Sequence, residues 1–331
     1  MKRLLLCISV GIISALVLIQ IYTWCIQPEI LYYKNAHRIS SQHEKKLRES
    51  GRPCYIVTGG SETKSSIIPT IMMEEAGIPV VNVATAAGFG LSVNSAIAIN
   101  HLQPGDTLVL GLLNVLDNNL HPTENGIKLS VQLFGTSAFR YNLIPLNIQN
   151  ILSFFSSDAG GALASLTRML TRGYSYVYLK EASIHPDGWM EIHRSTMKNA
   201  SVPKTIEKDI QISSAYTQFF QKVQTACKQI QADFIVMLPA TLTNEYETKR
   251  RLIQALQLTR MGIPVLRDER LGLEPNNSLY ADMRLHMNAK GAEQNSRIIA
   301  RLIKNKSYWT EEELLERMKA RGFTEDDTPQ K

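Results

Sequence analysis

Cysteine is scarce in this chain, with four in 331 residues, at positions 7, 25, 54 and 227. That excludes a disulfide-dense scaffold, and no pair has the spacing of a metal site. A Cys54–Cys227 bridge is open in an oxidising compartment, although buried free thiols fit both positions better. Charge of one sign is thin as well. The excess is +6, from 36 Lys+Arg against 30 Asp+Glu, and it is dispersed. No zinc-finger spacing, aromatic RNA-binding signature or recognition-helix pattern accompanies it, so nucleic acid is excluded as an expected partner. A mild attraction to anionic membrane or polysaccharide surfaces fits that charge. Internal repeats and low-complexity arrays are missing too. With 44% hydrophobic and 20% charged residues, the composition is that of a folded chain, long enough for one large or two ordinary domains.

A long, strongly apolar run without charge stands at the start. Met1-Lys2-Arg3 precedes Leu4 to Ile26, 23 residues without a charge. At about 1.5 Å per residue such a helix crosses the ~30 Å hydrocarbon core, and Tyr22 and Trp24 stand at its far end, where interfacial aromatics are common. The run exceeds the ~7–15 residues of a cleaved signal core, and no small-x-small site follows it. Neither Cys7 nor Cys25 follows the small residues of a lipoprotein cleavage site. The expectation is a signal anchor over residues 1–27, with 4–26 in the lipid bilayer, a cytoplasmic N-terminus and a periplasmic or otherwise extracytoplasmic main domain. Lys34, Arg38, Lys45, Lys46 and Arg48 on the other flank oppose that orientation. Residues 28–51 are polar and of mixed charge, which reads as a juxtamembrane helix or stalk.

From residue 52 strands and helices alternate. Strands are expected at 54–58, 79–84, 107–113, 233–238 and 263–266, with helices near 64–76, 92–101, 210–231, 245–260 and 288–304. Three β–α units within some sixty residues predict a parallel, doubly wound α/β sheet. Thr107 to Leu113 is almost wholly apolar, as a strand buried on both faces should be. The periodicity breaks over 115–200, which reads as a mostly helical insertion with a small strand at 174–178 and a turn at His185–Trp189. His185 and His193 flank that turn without a third metal ligand. A peripheral helix and charged tail are expected over 306–331.

One stretch carries a chemical signal. Pro53-Cys-Tyr-Ile-Val-Thr-Gly-Gly-Ser-Glu-Thr63 reads as strand, tight turn and helix start with Ser61 at the turn. Such a turn lifts a hydroxyl from the sheet edge and points backbone N–H groups at it, as an acyl-serine mechanism requires. Its base is expected in Leu279-Tyr-Ala-Asp-Met-Arg-Leu-His-Met-Asn-Ala-Lys-Gly291. Asp282 and His286, four residues apart before the final helix, can present an imidazole together with the carboxylate that orients it.

Those blocks resemble the SGNH (GDSL-like) hydrolases and their membrane-tethered acyltransferase relatives in bacterial cell envelopes, over roughly residues 52–305. Gly59-Gly60-Ser61 stands where that family has Gly-Asp-Ser, Asn82 to Gly88 is similar to its oxyanion-glycine block, Gly111 to Asn114 to its asparagine block, and Asp282-x-x-x-His286 to its last block. Four features depart from the pattern: Gly60 replaces Asp, Glu62 replaces Leu, Val115 follows Asn114, and three residues rather than two separate Asp282 from His286. The resemblance implies a flavodoxin-like three-layer α/β/α sandwich. It implies Ser61, His286 and Asp282 as catalytic residues, and an oxyanion hole from the Ser61 amide, Gly88 and Asn114, with Gly90 and Asn118 as alternative donors. It further implies ester hydrolysis or O-acyl transfer on acyl esters of an envelope glycan, O-acetyl esters among them, with no metal or organic cofactor. A non-catalytic glycan-binding or assembly protein on the same scaffold is the other reading.

Overall fold

The computed structural model describes residues 2–25, 27–112, 182–193, 212–242 and 245–323, with isolated positions between 120 and 173. At its centre lies a parallel sheet of β1 (Tyr55–Thr58), β2 (Val80–Asn82), β3 (Thr107–Gly111) and β6 (Asp233–Met237) in the order β2-β1-β3-β6. Val57 pairs with Asn82 on one side and Val109 on the other, and Val109 pairs with Ile235. Val265 bridges Val236 in parallel at the far edge, where the sequence predicts a fifth strand at 263–266. Parallel neighbours need crossover connections, and helices supply them.

Successive strand residues point to opposite faces, and the apolar strands feed two cores. Ile56, Leu108, Leu110 and Val236 meet α5 (Gly90–Ile99), α6 (Ser214–Ile230) and α7 (Glu245–Arg260) through Ala96, Phe220 and Leu256. Val57, Val109, Ile235 and Met237 meet α4 (Pro69–Ala76) and α8 (Ala289–Lys304) through Met72, Ile299 and Ile303. Helices therefore cover both faces of the sheet, the α/β arrangement that the alternation predicts.

The helix expected near 64–76 is two helices, α3 (Ser61–Ser66) and α4. Pro69 opens α4, and the residue before a proline is driven out of the helical region; Ile67 and Ile68 are both extended. α3 begins at Ser61 itself. The stretch from Arg267 to Met287, expected as a loop, also contains β8 (Leu273–Glu274), which pairs with β7 (Thr241–Leu242).

Around the predicted turn lies a hairpin of β4 (Ala182–Ile184) and β5 (Met190–Ile192). The remainder of the 115–200 insertion, including the strand expected at 174–178, is outside the described residues apart from isolated positions. Cys54 and Cys227 are both free and buried in the same core.

Residues 28–51 do not stand off as a stalk. α2 (Pro28–Arg48) is helical and buries Ile30, Tyr32, Tyr33, Ala36 and Ser40 against the domain. Its last turn is anchored by Arg48, whose guanidinium donates to both Asp106 oxygens at 3.2 and 2.8 Å and to the His101 carbonyl. The C-terminal helix is likewise less peripheral than expected. α9 (Glu311–Ala320) starts with a capping box of Thr310 and Glu313 and buries Leu314 and Met318 in the core shared with α7. Ahead of α2, α1 runs from Lys2 to Cys25. Among the described residues no helix is long and apolar enough to cross a membrane, so the span expected over 4–26 finds no support there.

Candidate active site

Three of the predicted residues meet at the C-terminal ends of the strands. The His286 Nε2 lies 2.9 Å from the Ser61 Oγ, and its Nδ1 lies 2.8 Å from Asp282 Oδ1. These are hydrogen-bond distances on both sides of one imidazole, across 225 residues of chain. His286 is buried, while Ser61 and Asp282 are half-buried.

Each partner is fixed by local structure. Gly59 ends β1 at a φ of 152°, and a Cβ there would lie 2.9 Å from Thr63 Cβ and 3.0 Å from the Gly111 carbonyl, so only glycine fits. Gly60 caps α3 in extended conformation, and Ser61 is the first residue of the helix. The first N–H groups of a helix have no intrahelical acceptor, and Ser61 carries the first of them in α3.

The Asp282–His286 loop is a closed turn. Ala281 N donates to the His286 carbonyl, His286 N to Met283, and Tyr280 bridges Met287. Leu242 N and Thr241 Oγ1 both donate to the Arg284 carbonyl, tying the turn to β7. Asn288 then caps α8 through Gly291 N and donates from its amide to the Ser278 and Tyr280 carbonyls. The three-residue separation of Asp282 and His286 is thus accommodated by a turn that brings both side chains to the same side.

The oxyanion assignments fare differently. Ser61 has the geometry just described. Gly88 lies exposed in a short 3-10 turn, Ala87–Phe89, following β2, in the loop whose earlier residues Ala84 and Thr85 line the pocket at Ser61. Gly90 opens α5 at a φ of 70°. Asn114 and Asn118 fall outside the described residues. Asn82 serves the framework: its amide donates to the Ile67 carbonyl and its Oδ1 accepts from Ala84 N.

The pocket beside Ser61 has a cavity volume of about 20 Å³, room for one or two water-sized groups. Much of its wall comes from α2, through Tyr32, Tyr33, His37 and Ser40. Tyr32 and Tyr33 pack with Phe89, Met190 and Ala281, so one apolar cluster joins α2, the Gly88 turn, the hairpin and the triad loop. Trp189 donates its indole N–H to the Ser65 carbonyl at 2.9 Å and is buried, a packing role. None of the α2 residues was expected here. The signal was legible as apolar and small residues at Ile30, Tyr33, Ala36 and Ser40, the period of a helix with a buried face.

Two charged groups were also not anticipated. Glu62 is fully buried, which raises its pKa, and its carboxylate accepts the Gly60 N–H at 3.0 Å. Lys64, one turn after Ser61, is buried and lines the pocket. Its Nζ donates to the Asn82 carbonyl at 2.6 Å and to Ser40 Oγ at 3.1 Å. Burial pulls this amine down to about 7, against a smaller upward pull from Asp187. His37 is lowered to about 4, chiefly by burial and then by His101 and Lys64.

No family model matches the sequence, and no curated protein matches it. The site is therefore read from its own geometry.

Proposed function

We propose that the chain is a serine esterase or O-acyltransferase of SGNH type, working through an acyl-serine intermediate. The observation that carries this reading is the continuous relay Ser61 Oγ–His286–Asp282, at 2.9 and 2.8 Å. Ser61 Oγ attacks the acyl carbonyl while His286 Nε2 takes its proton, and Asp282 holds the ring and stabilises the imidazolium. His286 then gives the proton to the departing alkoxide, leaving the acyl group on Ser61. Water, or a second alcohol in the transferase case, enters with His286 again as base, releases the acyl group and restores Ser61. The Ser61 N–H at the start of α3 is one donor to the oxyanion, with Gly88 as the other candidate.

The strand order β2-β1-β3-β6 with Val265 beyond β6 supports the flavodoxin-like, SGNH-type version of the α/β fold. The tether rests on the uncharged run from Leu4 to Ile26 in the sequence, and the exposure of Leu6, Val10, Ile13 and Leu18 in α1 suits contact with lipid. On this reading the domain sits outside the cytoplasm against the membrane face, and its substrate is an acylated envelope glycan.

Treatment with a fluorophosphonate probe tests the catalytic reading. The full chain should label at Ser61, and Ser61→Ala and His286→Ala should not. Folded protein that fails to label contradicts the proposal and favours the non-catalytic scaffold. Acetyl esters assayed with and without a glycan acceptor then separate hydrolysis from transfer.

A further inference from the structure

The acyl-serine chemistry leaves one buried acid without a role. Glu62 directly follows Ser61 and is 3% exposed. An apolar side chain would fill that space without the desolvation cost of a carboxylate. The acid lies close enough to the relay for His286 to act on its charge. Its Oε1 accepts the Gly60 N–H at 3.0 Å.

That bond falls where the turn is least able to hold itself. Gly59 and Gly60 stand immediately before Ser61, and neither has a side chain to limit its backbone. Gly60 is the N-cap of α3 and makes no side-chain cap bond. Backbone bonds tie down the two carbonyls: Thr85 N donates to Gly59 at 3.1 Å, and Thr63 N and Lys64 N donate to Gly60, each at 3.1 Å. The Gly60 N–H goes instead to Glu62. Among the described residues no other side chain bonds the backbone of this glycine pair. The contact is half of a capping box, with the acid at the second helical position, where Ser61 is the first.

We propose that Glu62 is a positioning residue for Ser61: its carboxylate locks the Gly59-Gly60 turn and so fixes where α3 begins and how the serine is presented to the acyl carbon. The inference deepens the acyl-serine reading and rests on it. A nucleophile on a turn of two glycines needs an outside restraint, because each glycine would otherwise sample backbone angles that swing the serine off the His286 Nε2. Glu62 supplies it from within the same helix, at the expense of burying an acid.

Labelling kinetics test this apart from folding. The full chain is treated with a fluorophosphonate over a concentration series, which separates the limiting labelling rate from the half-saturating concentration. Glu62→Leu fills the space and Glu62→Ala empties it, and neither can accept an N–H. In both, checked as folded by circular dichroism, the limiting rate should fall about ten- to a hundredfold, the effect of displacing a reacting group by up to about 1 Å. The half-saturating concentration and the final labelled fraction should stay at the parent values. Glu62→Gln keeps an acceptor oxygen and should recover most of the rate. Parent-like rates in the Leu and Ala variants overturn the assignment, as does a Gln variant that is equally slow. A loss seen only in the labelled fraction or in half-saturation assigns Glu62 to packing and overturns it too. A parent chain that does not label removes the acyl-serine reading and this role with it, whereas the other adverse outcomes leave that reading standing.

Discussion

The Glu62 carboxylate folds back over Gly60. Its Oε1 accepts the Gly60 N–H at 3.0 Å, and a Cβ built at position 60 would sit 2.9 Å from Oε1 and 3.0 Å from Cδ, with Oε2 closer still. The two departures beside Ser61 are therefore coupled: the residue at 60 must be glycine while Glu62 occupies the space a side chain would take. Gly60→Ala should destabilise the protein by about 1–3 kcal/mol through overpacking. Glu62→Leu in the same chain should recover at least about 0.5 kcal/mol of it, the threshold of coupling for residues in contact. A double-mutant cycle by urea denaturation reads this directly, and additive single effects would contradict the coupling.

Asp282 orients a ring that is already held by Ser61, so its loss should reduce rate rather than fold. Asp282→Asn is expected to lower kcat by roughly 10³–10⁴-fold, by analogy with the same change in other triads. Labelling rate with the fluorophosphonate measures it. Thermal stability should stay close to that of the parent, because Asp282 is only half-buried.

Arg48 and Asp106 join α2 to the start of the sheet. Asp106 is buried and also accepts from Cys54 N at the entry to β1, so removing Arg48 takes away the cation that pairs with it. Because Arg48 is half-buried and Cys54 N and Gln103 N still donate to Asp106, Arg48→Ala should cost about 1–3 kcal/mol, the range for lost hydrogen bonds to a charged group. Denaturant unfolding checks it. Since α2 also walls the pocket, the same variant should slow labelling of Ser61 below its unfolding midpoint.

His37 makes acid stability predictable in sign. Its folded pKa of about 4 lies below the ordinary 6.5, so between those values the unfolded chain binds more protons than the native one. Stability must therefore rise with pH across that window and fall as the solution is acidified from about 6.5 to 4. The loss attributable to His37 is on the order of 2–3 kcal/mol, somewhat less than the full shift implies because the ring is partly accessible. His37→Gln should flatten the unfolding free energy between pH 6.5 and 4 by that amount relative to the parent. An unchanged pH slope would place the acid sensitivity in His43, whose pKa burial also lowers from 6.5.

The alternation of apolar runs with glycine and proline stops determined the parallel sheet, because each strand buried on both faces must be apolar throughout and each crossover must be amphipathic. Composition along the chain also placed Ser61 at a strand-to-helix turn and put Asp282 and His286 in one loop, since both are local features. Which groups surround them was not local. Lys64 and Glu62 read as ordinary polar residues of a short helix until α2 and the hairpin close over them, and burial is what changes their chemistry. α2 itself looked like a charged connector because its buried stripe is small residues and tyrosines rather than aliphatics. Sequence by itself thus determined that Ser61, Asp282 and His286 belong together, and the sheet that carries them. Only the tertiary structure decided that a helix from outside the α/β domain completes the pocket, and that a buried lysine stands beside the serine.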